Sequence, residues 1–159
     1  MIVAMLQTGI ITYWDLKKNL GIVLDSKSTK QDKIYYFFNR QSFKSGAISQ
    51  IEEGAAIAFD HIKREKGSLF IKDATLISHE GSIAYYDPCT FKGWIIPKND
   101  SRVTLRFSAK RIDDKLKGYL LQGMRVFYQF DIQNQRIYAV NVSFSLDDLK
   151  QRNFKIEYI

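Results

Sequence analysis

The chain has 159 residues, 45% hydrophobic and 26% charged, a composition ordinary for a folded globular protein and foreign to a disordered one. Twenty-four Lys and Arg against 17 Asp and Glu leave a net charge of +7, which favours polyanionic partners without identifying one. One cysteine, Cys89, excludes an internal disulfide and a cysteine-built zinc site. No apolar run reaches the roughly 18 residues of a membrane span. The apolar start lacks a basic region and a cleavage site, so the expectation is a cytoplasmic, reducing compartment and no membrane partner.

In chain order, short alternating runs predict strands near 8–15, 20–26, 33–38, 55–62 and 68–76, with turn residues such as Asp25-Ser26-Lys27-Ser28 between them. A second set follows near 80–87, 92–97, 102–107, 124–131 and 136–144, with Lys98-Asn99-Asp100-Ser101 as a turn. The two sets share an internal register. Gly9-Ile10-Ile11-Thr12-Tyr13-Trp14-Asp15 aligns with Gly81-Ser82-Ile83-Ala84-Tyr85-Tyr86-Asp87 (9 to 81, a spacing of 72), and Gly21 with Gly93 at the same spacing. Phe38 aligns with Phe107 and Gly54 with Gly123 (38 to 107, a spacing of 69), so one loop-sized gap separates the registers. In each set a longer polar connection, 39–53 or 108–122, joins strands three and four, and Ser108–Lys117 suits a short helix. The charge is shared: +3 up to Ser78 (11 basic, 8 acidic) and +4 beyond (13 basic, 9 acidic). Past the repeat, Ser145 reads as a helix N-cap, with Asp148 in the first turn. Phe154-x-Ile156-x-Tyr158 then alternates like a strand that pairs in its own chain, with a second copy or with a protein partner.

These motifs resemble the cold-shock domains. The resemblance spans about Thr8 to Ser145. It is carried by the Gly9 and Gly81 strands, by Arg106-Phe107-Ser108-Ala109, by Gln122-Gly123-Met124-Arg125-Val126-Phe127-Tyr128 and by Ala139-Val140-Asn141-Val142. It implies an all-β fold of two tandem five-stranded OB-type barrels, 1–78 and 79–145, with a helix and strand extension over 146–159. It also implies non-enzymatic binding of single-stranded RNA or DNA, RNA foremost, by bases stacking on outward aromatics, in a chaperone-like or regulatory role. By position the implied site residues are Tyr13, Lys18, Tyr35, Phe37 and Phe38 in the first repeat, and Tyr85, Lys92, Trp94, Arg106 and Phe107 in the second. Arg102 adds a further cation beside Trp94. The pattern departs from the family at Leu20 and Ile22, and at Lys92 and Thr104, where stacking phenylalanines are usual. An alternative follows from those losses: a protein-interaction module that keeps the barrels and has lost the nucleic acid.

Catalytic chemistry finds little support. His61 and His79 stand in no metal-binding spacing, and alternation places His61 inward as a core or bulge residue. Cys89 sits in the turn Asp87-Pro88-Cys89-Thr90 with no base nearby in sequence. Glu52-Glu53 and Asp113-Asp114 lie in polar connections without a phosphate-binding glycine loop. The reading is a binding protein with no cofactor or metal.

Overall fold

The computed structural model describes residues 6–44, 48–110, 112, 117, 118 and 120–145. The expected extension over 146–159, and residues 113–116 of the expected helix, lie outside the described residues. By contacts the chain divides into two compact units: residues up to Ile77 with Phe130–Tyr138, and Ser78–Gln129 with the residues from Ala139.

The first unit holds β1 (Gln7–Asp15), β2 (Leu20–Asp25), β3 (Tyr35–Phe38), β4 (Ala56–Phe59), β5 (His61–Glu65), β6 (Ser68–Lys72) and β7 (Thr75–Leu76). They form one sheet in the order β5-β6-β3-β2-β1-β4-β7. Five strands were expected here and seven are present, because two segments break. Asp60 interrupts the fourth, while Asp73, at φ 55°, and Ala74 interrupt the fifth. Ala74 leaves the ladder because its backbone bonds elsewhere: its N–H donates to the Ser42 carbonyl (2.8 Å) and its carbonyl accepts from Lys44 N–H (3.1 Å). β4 and β5 lie far apart in the sheet order yet are separated in sequence by Asp60 alone, so the sheet curls back toward itself. Its inner face holds Ile11, Val23, Tyr36, Phe38, Ile57, Phe59 and Ile71. The break also moves His61. Alternation restarts after Asp60, so His61 is exposed instead of lying in the core, with Nε2 3.7 Å from Asp73 Oδ2.

β8 (Glu80–Asp87), β9 (Lys92–Pro97), β10 (Leu105–Ser108), β11 (Arg125–Gln133) and β12 (Arg136–Ser143) form a closed barrel ordered β10-β12-β11-β8-β9, all of it in the second unit except the β11–β12 tip over 130–138, which is grouped with the first. The first strand pairs with the second and fourth, and the third with the fifth, the five-stranded connectivity of an OB barrel. Ile83, Ile95, Leu105, Phe107 and Val126 fill it.

Two local devices recur in both units. Each first strand carries a bulge, between Ile11 and Tyr13 and between Ile83 and Tyr85. Next to each bulge the same bonds form: Gly54 N–H donates to Ile11 (2.8 Å) and Gly123 N–H to Ile83 (2.7 Å), with both glycines at positive φ. The second device is a glycine under a ring. A Cβ at Gly21 would fall within the ring of Phe38, and one at Gly93 would meet the Tyr85 carbonyl and the Phe107 ring (2.9 Å). The backbone is bare there so that each phenylalanine can lie against it.

Tyr36 sits in the first core, where burial and then the charge of Asp25 push its hydroxyl up to about 12. Burial, then Glu80, also raises Tyr128. An unfolded tyrosine ionises near pH 10. The folded state therefore holds the protons more tightly, and this stabilisation is complete below about pH 10 and lost as the pH rises toward about 12. The urea midpoint is expected to fall across that window, and Tyr36→Phe to flatten part of the fall. An unchanged slope in that variant would assign the alkaline transition to other groups.

Candidate nucleic-acid interface

The bulges decide what each unit displays. Along β8, Gly81 and Ile83 point inward. Without the extra residue Ala84, Tyr85 would follow them into the core. The bulge turns Tyr85 outward (45% exposed) and Tyr86 inward, where its ring stacks on Phe107 (centroids 6.0 Å, 16°). Burial raises the Tyr86 hydroxyl, with Asp87 adding to the rise and Lys117 opposing it. In β1, Thr12 does the same: Tyr13 faces out (38% exposed) and Trp14 stacks on Phe38 (5.3 Å, 11°).

Registration then sets the row. Tyr85 pairs with Trp94 and Trp94 with Arg106, so three neighbouring strands present Tyr85, Trp94 and Arg106 side by side on the outer face. The Tyr85 and Trp94 rings stack at 4.5 Å and 26°, and Trp94 is 40% exposed. This contact braces the indole on one side while 40% of the residue stays exposed. Lys92 lies two residues before Trp94 on the same face, opposite Asp87 and Ser108. Among the described residues neither Lys92 nor Arg106 has an ion-pair partner. Arg102 differs: its Nε and Nη2 donate to both oxygens of buried Asp100 (3.0 Å each), so that guanidinium is committed to a loop.

Two phenylalanines expected on the outer faces, one in each unit, are not there. Phe38 (0% exposed) and Phe107 (2%) are core residues, because strict alternation in β3 and β10 puts them opposite Phe37 and Arg106. Phe37 is half-buried on the outer face, and Tyr35, two residues earlier, is 49% exposed on the same side. Lys18 is exposed in the β1–β2 turn. Its N–H donates to Asp15 Oδ1 (3.1 Å), and this bond leads the effects that hold the Asp15 carboxyl below its usual range. The sequence reading also missed a pair. Arg125 lies over the ring of exposed Phe127 (5.0 Å) and bonds Glu80 Oε1 (3.0 Å). The signal was present in the alternation of Arg125 and Phe127 against buried Val126 and Tyr128.

Among the described residues no group of three or more His, Cys, Asp or Glu is placed to hold a metal, and no helix is long and apolar enough to cross a membrane. Cys89 is exposed in the β8–β9 turn, its N–H donating to Asp87 Oδ1 (2.9 Å).

What fold and face define is an all-β chain with an OB-type barrel carrying an exposed aromatic and cationic row. No family model matches the sequence, and no curated protein matches it. Among solved structures, the chain is similar to one titled drosophila Unr CSD456, at 12% identity and a TM-score of 0.38. The match covers 91% of this chain and 63% of that one, so this chain spans less than two thirds of its length.

The two classes of aromatic separate in stability. Phe107→Ala is expected to destabilise the fold by about 3–5 kcal/mol, as for a buried phenylalanine. Trp94→Ala is expected to lose about 1 kcal/mol, the worth of its stack on Tyr85. Urea unfolding of both variants measures the contrast, and equal losses would place Trp94 in the core.

Proposed function

We propose that the chain is a non-enzymatic protein that binds single-stranded nucleic acid on the outer face of its second unit, with RNA as the physiological strand. The observation that carries the reading is the exposed Tyr85–Trp94 stack in line with Arg106. An indole pinned by one neighbour loses little freedom when a base covers its other face. Each base so stacked contributes about 1–3 kcal/mol and any base can take the place. Arg106 and Lys92 stand beside the rings, where phosphates flanking a stacked base would lie, and would release counterions on contact. Tyr35, Phe37, Tyr13 and Lys18 supply the matching elements in the first unit.

In this reading the chain holds two tandem cold-shock-like domains, 1–78 and 79–145. The shared bulge, the shared glycine bonds and the rings laid over Gly21 and Gly93 support it. The preference for RNA rests on the resemblance to cold-shock domains, as does a role in keeping RNA unpaired or in regulating its use. Phe38 and Phe107 take no part in binding, since no ring face is open.

Titration with oligo(U) and oligo(dT), followed by Trp fluorescence at low and physiological salt, is expected to show quenching with a salt-dependent affinity. Trp94→Ala is expected to weaken binding by about 5- to 150-fold. Arg106→Ala is expected to reduce the salt slope by about one. Absence of binding to either strand at low salt would leave the face to a protein partner.

A further inference from the structure

We infer that the first unit carries a small-molecule site, separate from the aromatic row, that takes an aliphatic carboxylate of single negative charge. The site is a cleft of about 330 Å³, at the lower end of the roughly 300–1,000 Å³ found for small-molecule sites. All of its lining belongs to the first unit, the β11–β12 tip included.

The floor is apolar. Ile10 and Leu24 are partners across β1 and β2, and their neighbours Ile11 and Val23 fill the core, so both turn to the outer face. Ile132 of the tip is the third aliphatic in the lining, and all three are half-buried. None of the described residues lining the cleft is aromatic, so it gives a base nothing to stack on and lies outside the nucleic-acid reading.

The walls are fixed by hydrogen bonds. Between β2 and β3, Ile34 N–H donates to Ser28 Oγ (2.9 Å), Asp32 N–H to Thr29 Oγ1 (2.9 Å) and Thr29 N–H to the Asp32 carbonyl (2.8 Å). On the other side Gln135 Nε2 donates to the Lys27 carbonyl (3.0 Å) and ties the tip to that loop. A site shaped before its ligand arrives loses little freedom on binding.

The rim sets the charge. Lys30 and Lys33 line the cleft, both exposed, and among the described residues neither has an ion-pair partner. Asp32, in the same loop, does not line it. The tip adds one carboxylate, Asp131, whose oxygens accept from Ile132 N–H (2.9 Å) and Gln133 Nε2 (3.1 Å). Two cations against one carboxylate favour an anion, while the Asp131 charge penalises a second negative group on the ligand. The aliphatic floor then selects an anion with a short branched body.

Amide-resolved NMR of the full chain, titrated with isovalerate to millimolar concentration, tests the site. Shifts that saturate and cluster at Ile10, Thr12, Leu24, Lys30 and Ile132 are expected. Isoamyl alcohol, which lacks the charge, is expected to bind more weakly than isovalerate, and isoamylamine, of opposite charge, more weakly still. Glutarate, with two carboxylates, is also expected to bind less well than isovalerate. Lys30→Gln/Lys33→Gln is expected to weaken isovalerate by about tenfold and to leave isoamyl alcohol unchanged, its amide spectrum verifying the fold. Isovalerate is expected to bind whether or not the chain binds a strand, since the two sites share no residue. Shifts that never saturate, or that scatter over the surface, overturn the site. Equal binding of isoamylamine or glutarate, or an undiminished affinity in the lysine variant, overturns the ligand class.

Discussion

In β1 and β8 a single extra residue, Thr12 in one and Ala84 in the other, resets the alternation of everything after it. A strand of period two with two adjacent aromatics must bury one and expose the other, and the bulge decides which. Here it sends Trp14 and Tyr86 onto the rings of Phe38 and Phe107 and leaves Tyr13 and Tyr85 outside. The two inward rings complete cores that already rely on bare backbone at Gly21 and Gly93. The exposed tyrosines are thereby aligned with the second and third strands, and the row described above begins from one of them. Removing the bulge would not merely loosen the sheet; it would exchange the core set for the surface set.

This dependence explains what the sequence could convey. Strand positions were legible because alternation is local, and the shared spacing of Gly9, Gly21 and Gly54 with Gly81, Gly93 and Gly123 marks backbone that recurs for steric reasons. The closed barrel and the outward Tyr85, Trp94 and Arg106 follow from those marks. The face of a residue next to a bulge or a break is harder to read. Phe37 and Phe38 are chemically alike, and only register shows that the second is core. His61 looked inward because one strand was drawn through Asp60, where the chain breaks. The contact of Phe70 with Phe37 escaped notice because it is not local: the two meet through a parallel pairing with a strand more than thirty positions earlier, by the numbering of the two residues. No window along the sequence contains that contact.

The charge follows the same division between local and assembled. Of the basic residues, Arg102 is tied to Asp100, Arg125 and Lys98 to Glu80, Lys72 to Glu65 and Lys44 to Asp60. Apart from the one to buried Asp100 these pairs lie near the surface and add little stability each, but all neutralise charge locally, and the surplus falls on other cations. Lys92 and Arg106 belong to that surplus and stand beside the most exposed indole. A net charge of +7 thus says less than where its uncompensated part lies.

The two outer faces also differ in what they present. Tyr85, Trp94 and Arg106 place a planar cation directly in line with the rings, so in the proposed reading stacking and charge act on one or two nucleotides. Tyr13, Ile22, Phe37 and Phe70 spread their rings over four strands, with an aliphatic step among them. Stacking discriminates weakly among bases. In the proposed reading, selection therefore falls on whether a strand is unpaired, since a base already stacked in a duplex offers no free ring. In that reading the exposed row favours the single-stranded state over any particular sequence.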